Sequence, residues 1–364
     1  LIVKKTILIN IYYSFGGGGI ESMISNLSCE ARLQNVESHL LVIGEDLGRV
    51  NLDDYDSVNL IDGNLKSRRL AKKIEKKCLK LSDGNLEKTK ILIHSPGLWA
   101  IFFKLKNTEL VIHSIPTLIQ TKKGLIETVR KILMSLVYRS HKLVAVSQGV
   151  AENLLENYSL RSSNLRVVYN GINCQKLENL SKSKSKSKNA LNLPASNFIV
   201  CVARLNPVKQ LEHLLHAIAM LDDKPEIIFL GGGNQNYLDS LQRLTTELLL
   251  TDKVHFMGHV DNPYPYIKNA KLLVLCSKTE ALPMVLIESL MLGTPVVSYK
   301  SPTGPIEILS EKNPESLVEL NNILELSKVI KQVIIEPTSI DKDFYRNKYN
   351  ITKTLQNFLD HNFD

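Results

Sequence analysis

The chain has 364 residues, 44% hydrophobic and 23% charged, the balance of a soluble globular protein with room for two ordinary domains. No apolar run is long enough to span a bilayer, and five scattered cysteines without a C-x-x-C argue for a reducing compartment and against structural zinc. The formal charge is +8, and its excess lies in one half: residues 1–172 hold 24 Lys and Arg against 16 Asp and Glu, and the remainder 21 of each. That asymmetry predicts an anionic partner for the N-terminal half: a membrane surface, a phosphorylated glycan or a nucleic acid.

The opening stretch lacks a leading charged region and a cleavage site, so it reads as a core strand rather than a signal peptide. The first residue is Leu rather than Met, so a few residues are expected to precede it. Ile7 to Tyr13 is that strand, followed by the run Gly16-Gly17-Gly18-Gly19 and a helix to about Arg32. A glycine loop between a first strand and a helix lets backbone N–H groups approach a phosphate. Leu40 to Ile43 and Ser57 to Ile61 are short strands. Asp54-Tyr55-Asp56 is a literal D-x-D, but no converging oxygen ligands accompany it, and no metal role is assigned.

Leu65 to Leu81 is a basic amphipathic helix, with Lys66, Arg68, Arg69, Lys72, Lys73, Lys76, Lys77 and Lys80 against Leu70, Ile74, Cys78 and Leu81. Leu125 to Val137 is a second, with Arg130, Lys131 and flanking Lys122, Lys123, Arg139 and Lys142. Each fits either a solvated basic face over a core contact or a helix lying on anionic lipid. Lys90 to Ile93 and Glu109 to Ile112 are strands ending at His94 and His113, on the edge where α/β sheets meet ligands. Leu143 to Val146 is another strand. Asn170-Gly171 is a turn signal.

Residues 181–188 read SKSKSKSK, a solvated connection without apolar or aromatic content. A second α/β half follows. Phe198 to Val202 is a strand, and Ala203 to Lys209 a loop that sets Arg204 and Lys209 between a strand end and a helix start. The pair is either surface charge or two cations for one anion. Glu226 to Leu230 leads into Gly231-Gly232-Gly233, then a helix over Leu238 to Leu250 and a strand at Val254. Leu272 to Cys276 is a strand buried on both faces. A loop carrying Glu280 leads to a helix with Pro283 at its first position and Gly293 past its last. Glu288 sits inside that helix among Met284, Val285, Met291 and Leu292. It is either paired with a buried cation or reserved for a ligand. Val296-Val297 begins the next strand, and a polar helix over Phe344 to Phe358 closes the chain.

Glu280, seven residues, Glu288 and then Gly-Thr-Pro-Val-Val resembles the E-x7-E signature of the retaining family 4 glycosyltransferases. Arg204 and Lys209 match that family's R-x4-K pair, Gly18 and Gly19 its N-terminal glycine loop, and His113, with His94 as the alternative, its active-site histidine. Tyr169-Asn170-Gly171 resembles its "PNG" segment and Thr303 to Ile308 its "GGxPEI" loop. Departures are Ala281 and Leu282 for Gly and an aromatic residue, Ser289 for Ala, and Gln210 for Gly.

The resemblance implies the GT-B architecture, two Rossmann-like α/β domains with parallel sheets facing across a deep cleft. It assigns residues 1–172 to the acceptor-binding domain, 173–195 to a linker and 196–339 to the nucleotide-sugar domain, with a helix near 340–364 returning to the first. It implies a retaining, metal-independent hexosyltransferase with no cofactor and a nucleotide sugar, by family frequency a UDP-sugar, as donor. The acceptor is expected to be a bacterial envelope glycan such as a lipopolysaccharide, O-antigen or capsule precursor. Arg204, Lys209, Glu280 and His113 are the expected catalytic set. Gly18, Gly19, Gly232, Leu282, Pro283, Met284, Val285 and Glu288 are the expected donor contacts. The expected location is the cytoplasm, with a peripheral position on the inner membrane face as an option and no nucleic-acid partner expected. The alternatives are a nucleotide-sugar 2-epimerase, against which the E-x7-E spacing argues, and a degenerate nucleotide-sugar-binding scaffold.

Overall fold

A computed structural model describes residues 5–13, 18–44, 47, 50–94, 96–114, 125–183 and 198–360. Residues 14–17 of the glycine loop, Lys122 and Lys123, and most of the Ser-Lys run lie outside them. The chain forms two compact units, residues 1–173 with 349–364, and residues 174–348.

In the first unit the elements run β1 (Ile7–Tyr13), α1 (Gly19–Leu33), β2 (Glu37–Ile43), β3 (Ser57–Ile61), α2 (Arg68–Leu81), β4 (Thr89–Ile93), β5 (Thr108–Ile112), α3 (Leu125–Arg139), β6 (Lys142–Ala145), α4 (Gln148–Tyr158) and β7 (Leu165–Val167). The seven strands pair in parallel in the order β3-β2-β1-β4-β5-β6-β7. Burial on both faces is why β1, β2, β4 and β5 read as apolar runs rather than alternating ones. Ser67 caps α2 and Ser147 caps α4 through their hydroxyls.

The D-x-D carboxylates are spent on structure. Asp54 is buried and accepts hydrogen bonds from Ser25, Cys29 and Asn51, while Asp56 accepts from the Ser38 amide and faces Arg32. Among the described residues no group of three or more His, Cys, Asp or Glu is placed to hold a metal ion. The two basic helices also separate. On α2, Leu70, Ala71, Ile74 and Cys78 are buried, so its apolar face belongs to the core. On α3, Val129, Ile132, Leu133 and Leu136 are exposed. No helix among the described residues is long and apolar enough to cross a membrane.

The second unit runs α5 (Cys174–Lys182), β8 (Phe198–Val202), α6 (Leu211–Ala219), β9 (Glu226–Leu230), α7 (Gln235–Glu247), β10 (Val254–Phe256), α8 (Tyr264–Asn269), β11 (Leu272–Leu275), α9 (Met284–Leu292), β12 (Val296–Tyr299), α10 (Gly304–Leu309), β13 (Leu317–Val318), α11 (Ile323–Ile335) and α12 (Lys342–Lys348). Its six parallel strands lie in the order β10-β9-β8-β11-β12-β13. Helix α7 starts three residues earlier than its apolar pattern suggests, because Asn234 caps it by accepting from the Tyr237 amide. Pro283 stands at the N-cap of α9 with ψ 98°, one place before the first helical position expected for it. Gly293 ends the helix at φ 86°, in the left-handed region where glycine carries no Cβ penalty.

The single polar helix expected over Phe344 to Phe358 is two. Helix α12 stops at Lys348, and Asn350 caps a new one, α13 (Ile351–Leu359), by accepting from the Thr352 and Lys353 amides. Helix α13 belongs to the first unit, where Thr352 donates to Glu30 of α1. The turn at Gly171 is where it docks: a Cβ there would lie 2.5 Å from the Ile351 Cα.

Candidate active site

In an open parallel sheet, ligands bind beyond the carboxyl ends of the strands, where the strand order reverses. In the second unit that point lies between β8 and β11. Arg204 follows β8, and Ser277 to Glu280 follow β11. The residues there converge. Lys209 Nζ lies 2.6 Å from Glu280 Oε1, and the Ser277 hydroxyl donates to the same oxygen at 2.6 Å. The Lys278 amide donates to the Val208 carbonyl, tying the two loops together. Arg204 is exposed and makes no hydrogen bond or ion pair among the described residues. Its guanidinium is therefore an unspent cation in the loop after β8.

The backbone around Glu280 is clamped from the loop before α10. The Glu280 amide donates to the Pro302 carbonyl, and its own carbonyl accepts from Thr303 and Gly304. Gly304 is there because nothing larger fits: a Cβ would come 2.5 Å from Pro283 Cδ and 2.8 Å from the Ala281 carbonyl. Beyond Pro283 the first-turn amides of α9, at Met284 and Val285, have no intrahelical acceptor and carry the positive end of the helix dipole.

Among the described residues no buried cation pairs with Glu288. Its Oε1 accepts from the Tyr264 hydroxyl at 3.1 Å. Burial pushes the carboxylate up to about 7, with the Tyr264 hydrogen bond pulling it down. Tyr264 itself is raised well above its ordinary value, by burial and by the neighbouring carboxylate. Leu282 is buried. Ser289, in place of the family's usual Ala, closes the helix by donating to the Thr294 carbonyl.

Gly231 to Gly233 lie against the strand end that carries Arg204. The Leu205 amide donates to the Gly232 carbonyl, and a Cβ on Gly233 would strike the Leu205 carbonyl at 2.5 Å. A Cβ on Gly232 would make ordinary van der Waals contact with His259 Cβ at 3.7 Å.

In the first unit the strand order reverses between β1 and β4. His94 follows β4 and His113 follows β5. Their rings stack with centroids 5.2 Å apart, and His94 Nδ1 lies 2.9 Å from His113 Nε2. His94 Nε2 lies 2.9 Å from the Oδ1 of Asn10, a buried residue in the middle of β1. Burial pushes His113 down to about 3 and His94 well below its ordinary value, so both rings are neutral at physiological pH. Gly18 is extended at the N-cap of α1, and Gly19 opens that helix with open space where a Cβ would point.

Three residues of these clusters are absent from the sequence-based set. Ser277 has a signal, as the first polar residue after an apolar strand. Asn10 has another, as an amide inside a strand that is otherwise apolar. Tyr264 has none, because only the tertiary fold brings it to Glu288.

Two family models match this chain, Glycosyltransferase Family 4 over residues 17–176 and Glycosyl transferases group 1 over residues 182–351. A curated relative from Campylobacter jejuni, N-acetylgalactosamine-N,N'-diacetylbacillosaminyl-diphospho-undecaprenol 4-alpha-N-acetylgalactosaminyltransferase, is 29% identical over 349 residues, 92% of each chain. Among solved structures, HepE of Anabaena in complex with UDP superposes with a TM-score of 0.77 at 17% identity, over 96% of this chain and 97% of that one. A glycosyltransferase from Rickettsia africae gives 0.74 at 19% identity, over 98% and 97%. With both halves matched in order and two Rossmann-like sheets of the GT-B type, this chain belongs to the family 4 glycosyltransferases.

Proposed function

We propose that this glycosyltransferase moves a sugar from a nucleoside diphosphate donor, with uridine as the base, onto a lipid-linked bacterial envelope glycan. The transfer proceeds with retention and without a metal ion. The observation that carries the reading is the cluster at the β8–β11 switch point: Lys209 and Ser277 on Glu280, the unspent Arg204, and the α9 N-terminus. Breaking the bond from the anomeric carbon to the diphosphate oxygen sends negative charge onto the leaving phosphate. Arg204, Lys209 and the α9 amides supply positive groups for it. The acceptor oxygen bonds to the same face of the anomeric carbon and passes its proton to the departing phosphate oxygen. Glu288 suits the ribose hydroxyls, since a carboxylate accepts from two of them. The uridine base is supported by the UDP bound to HepE, and the lipid-linked acceptor by the relative from Campylobacter jejuni.

A membrane-bound acceptor needs the enzyme at the membrane face. Helix α3 supports that part: Val129, Ile132, Leu133 and Leu136 form one exposed face, and exposed Arg130 and Lys131 neighbour it.

The test is thermal stabilisation by UDP, GDP and ADP, each with EDTA, in wild type and Glu288→Ala. A rise with UDP alone that disappears in Glu288→Ala is the expected result. Equal rises with all three, or none, would remove the donor assignment. In the same series Arg204→Ala should stay folded and lose on the order of 10²–10³ in turnover.

A further inference from the structure

Asn10, His94 and His113 form one hydrogen-bonded row across three neighbouring strands of the first sheet, and its order fixes where the protons sit. Asn10 lies in the interior of β1, with no exposed surface, and a buried amide must be satisfied on both sides. Its Nδ2 donates to the Ser28 hydroxyl of α1 at 3.3 Å, and its Oδ1 faces His94 Nε2 at 2.9 Å. A carbonyl oxygen only accepts, so His94 Nε2 carries a hydrogen. A neutral imidazole has one donor and one acceptor, so His94 Nδ1 is the acceptor. The atom 2.9 Å from it, His113 Nε2, must then donate. That leaves His113 Nδ1 as a lone pair, and this atom is buried without a hydrogen-bond partner among the described residues.

We propose that Asn10 and His94 are positioning residues that hold His113 as its Nε2–H tautomer, so that its Nδ1 lone pair accepts a hydrogen bond from a hydroxyl of the sugar substrate. The proposal rests on the reading that His113 belongs to the active site. It adds a direction: His113 receives a hydroxyl hydrogen and cannot donate one. The neutral state follows from the surroundings, since no carboxylate contributes to the shift of either ring and burial disfavours the charged form. An orphaned buried acceptor is costly in the free protein, and a substrate hydroxyl satisfies it.

The test begins with the unaltered protein labelled with ¹⁵N-histidine. Long-range ¹H–¹⁵N correlation, assigned with His94→Gln and His113→Gln, reads each tautomer directly. The expected result is a protonated Nε2 on both rings. A proton on His113 Nδ1 overturns the proposal whatever the activity. The kinetic arm uses Asn10→Leu, with the tautomers read by the same ¹⁵N correlation. Leu should mix the tautomers and lower kcat about tenfold, the worth of one hydrogen bond. If kcat falls in Asn10→Leu while the His113 tautomer stays unmixed, the row is merely structural and the proposal falls. A correct tautomer with full turnover in His113→Gln would leave the row standing but remove His113 from the site, overturning the substrate-facing half alone.

Discussion

Tyr264 donates its phenolic hydrogen to Glu288 Oε1 across 3.1 Å, joining the start of α8 to the middle of α9. This bond accompanies a carboxylate that burial pushes to about 7 from an ordinary 4.5. The folded protein therefore binds a proton between those values that the unfolded chain does not. The sign follows: stability from this group is highest below the ordinary carboxylate range and falls as the pH rises toward 7, by roughly 3 kcal/mol in all. Glu288→Gln should remove that slope, and Tyr264→Phe should push the carboxylate higher still. Nucleotide affinity should run the other way, weakening below about pH 7 as the carboxylate takes up a proton and loses acceptor capacity. Melting temperatures and nucleotide titrations across this range, in wild type and both variants, check both. Parallel pH profiles in wild type and Glu288→Gln would show that the carboxylate is not raised.

Glu109 on β5 holds two cations. Lys90 Nζ lies 2.8 Å from its Oε1, and Arg166 reaches both of its oxygens, at 3.1 and 2.8 Å. Arg166 also donates to the Asn357 carbonyl, so the network fastens α13 to its own sheet. The Lys90 and Glu109 side chains are only 3% and 2% exposed. Removing the carboxylate alone strands buried positive charge, at a cost of about 3–5 kcal/mol. Glu109→Leu should lose this much in urea unfolding, seen as a lower midpoint at unchanged slope. Glu109→Leu with Lys90→Met should lose less than the single variant, because the buried cation is gone. Equal losses would show that packing, not charge, holds the contact.

Helix α3 exposes Val129, Ile132, Leu133 and Leu136 along one face, whereas α2 buries Leu70, Ala71, Ile74 and Cys78 and exposes Leu79 among its basic residues. Ile132→Asp with Leu136→Asp should therefore abolish sedimentation with vesicles containing anionic lipid. Neutralising Lys72 and Lys76 on α2 should weaken it by about 1 kcal/mol per charge at most. Neither pair should alter nucleotide-induced stabilisation, since none of these residues is among the proposed donor contacts. Unchanged vesicle binding in the α3 variant would rule that helix out as the membrane face.

The sheets were legible because parallel strands buried on both faces leave uninterrupted apolar runs, as at Leu272 to Leu275 and Leu40 to Ile43. The Lys209–Glu280 contact was legible only through the resemblance to R-x4-K and E-x7-E, because the charges alone fit a solvated surface equally well. Tyr264 was not, since its partner is 24 residues away and no local pattern links them. The break between α12 and α13 was missed because Tyr349 is fully buried and fits an apolar helical stripe. The Asn350 cap that ends the stripe is a single polar residue within a polar segment. Nor does charge pattern separate α2 from α3, because only tertiary packing decides which apolar face is covered.

The Glu280 loop depends on a glycine that never touches the carboxylate. Gly304 donates its amide to the Glu280 carbonyl at 3.0 Å, beside the Thr303 amide at 2.7 Å, and leaves no room for a Cβ against Pro283 and Ala281. In Gly304→Ala the 281–283 segment must move outward, and Glu280 moves with it, away from Lys209 and Ser277. A displacement near 1 Å at such a site costs about 10² in rate. The variant should therefore stay folded, keep its nucleotide-induced stabilisation through Glu288, and lose about 10² in kcat. Turnover and thermal shift measured on one preparation separate the two effects. Full turnover would mean that the loop tolerates displacement and that the Glu280 position is not critical. Loss of nucleotide stabilisation together with turnover would mean that the strain spreads along α9.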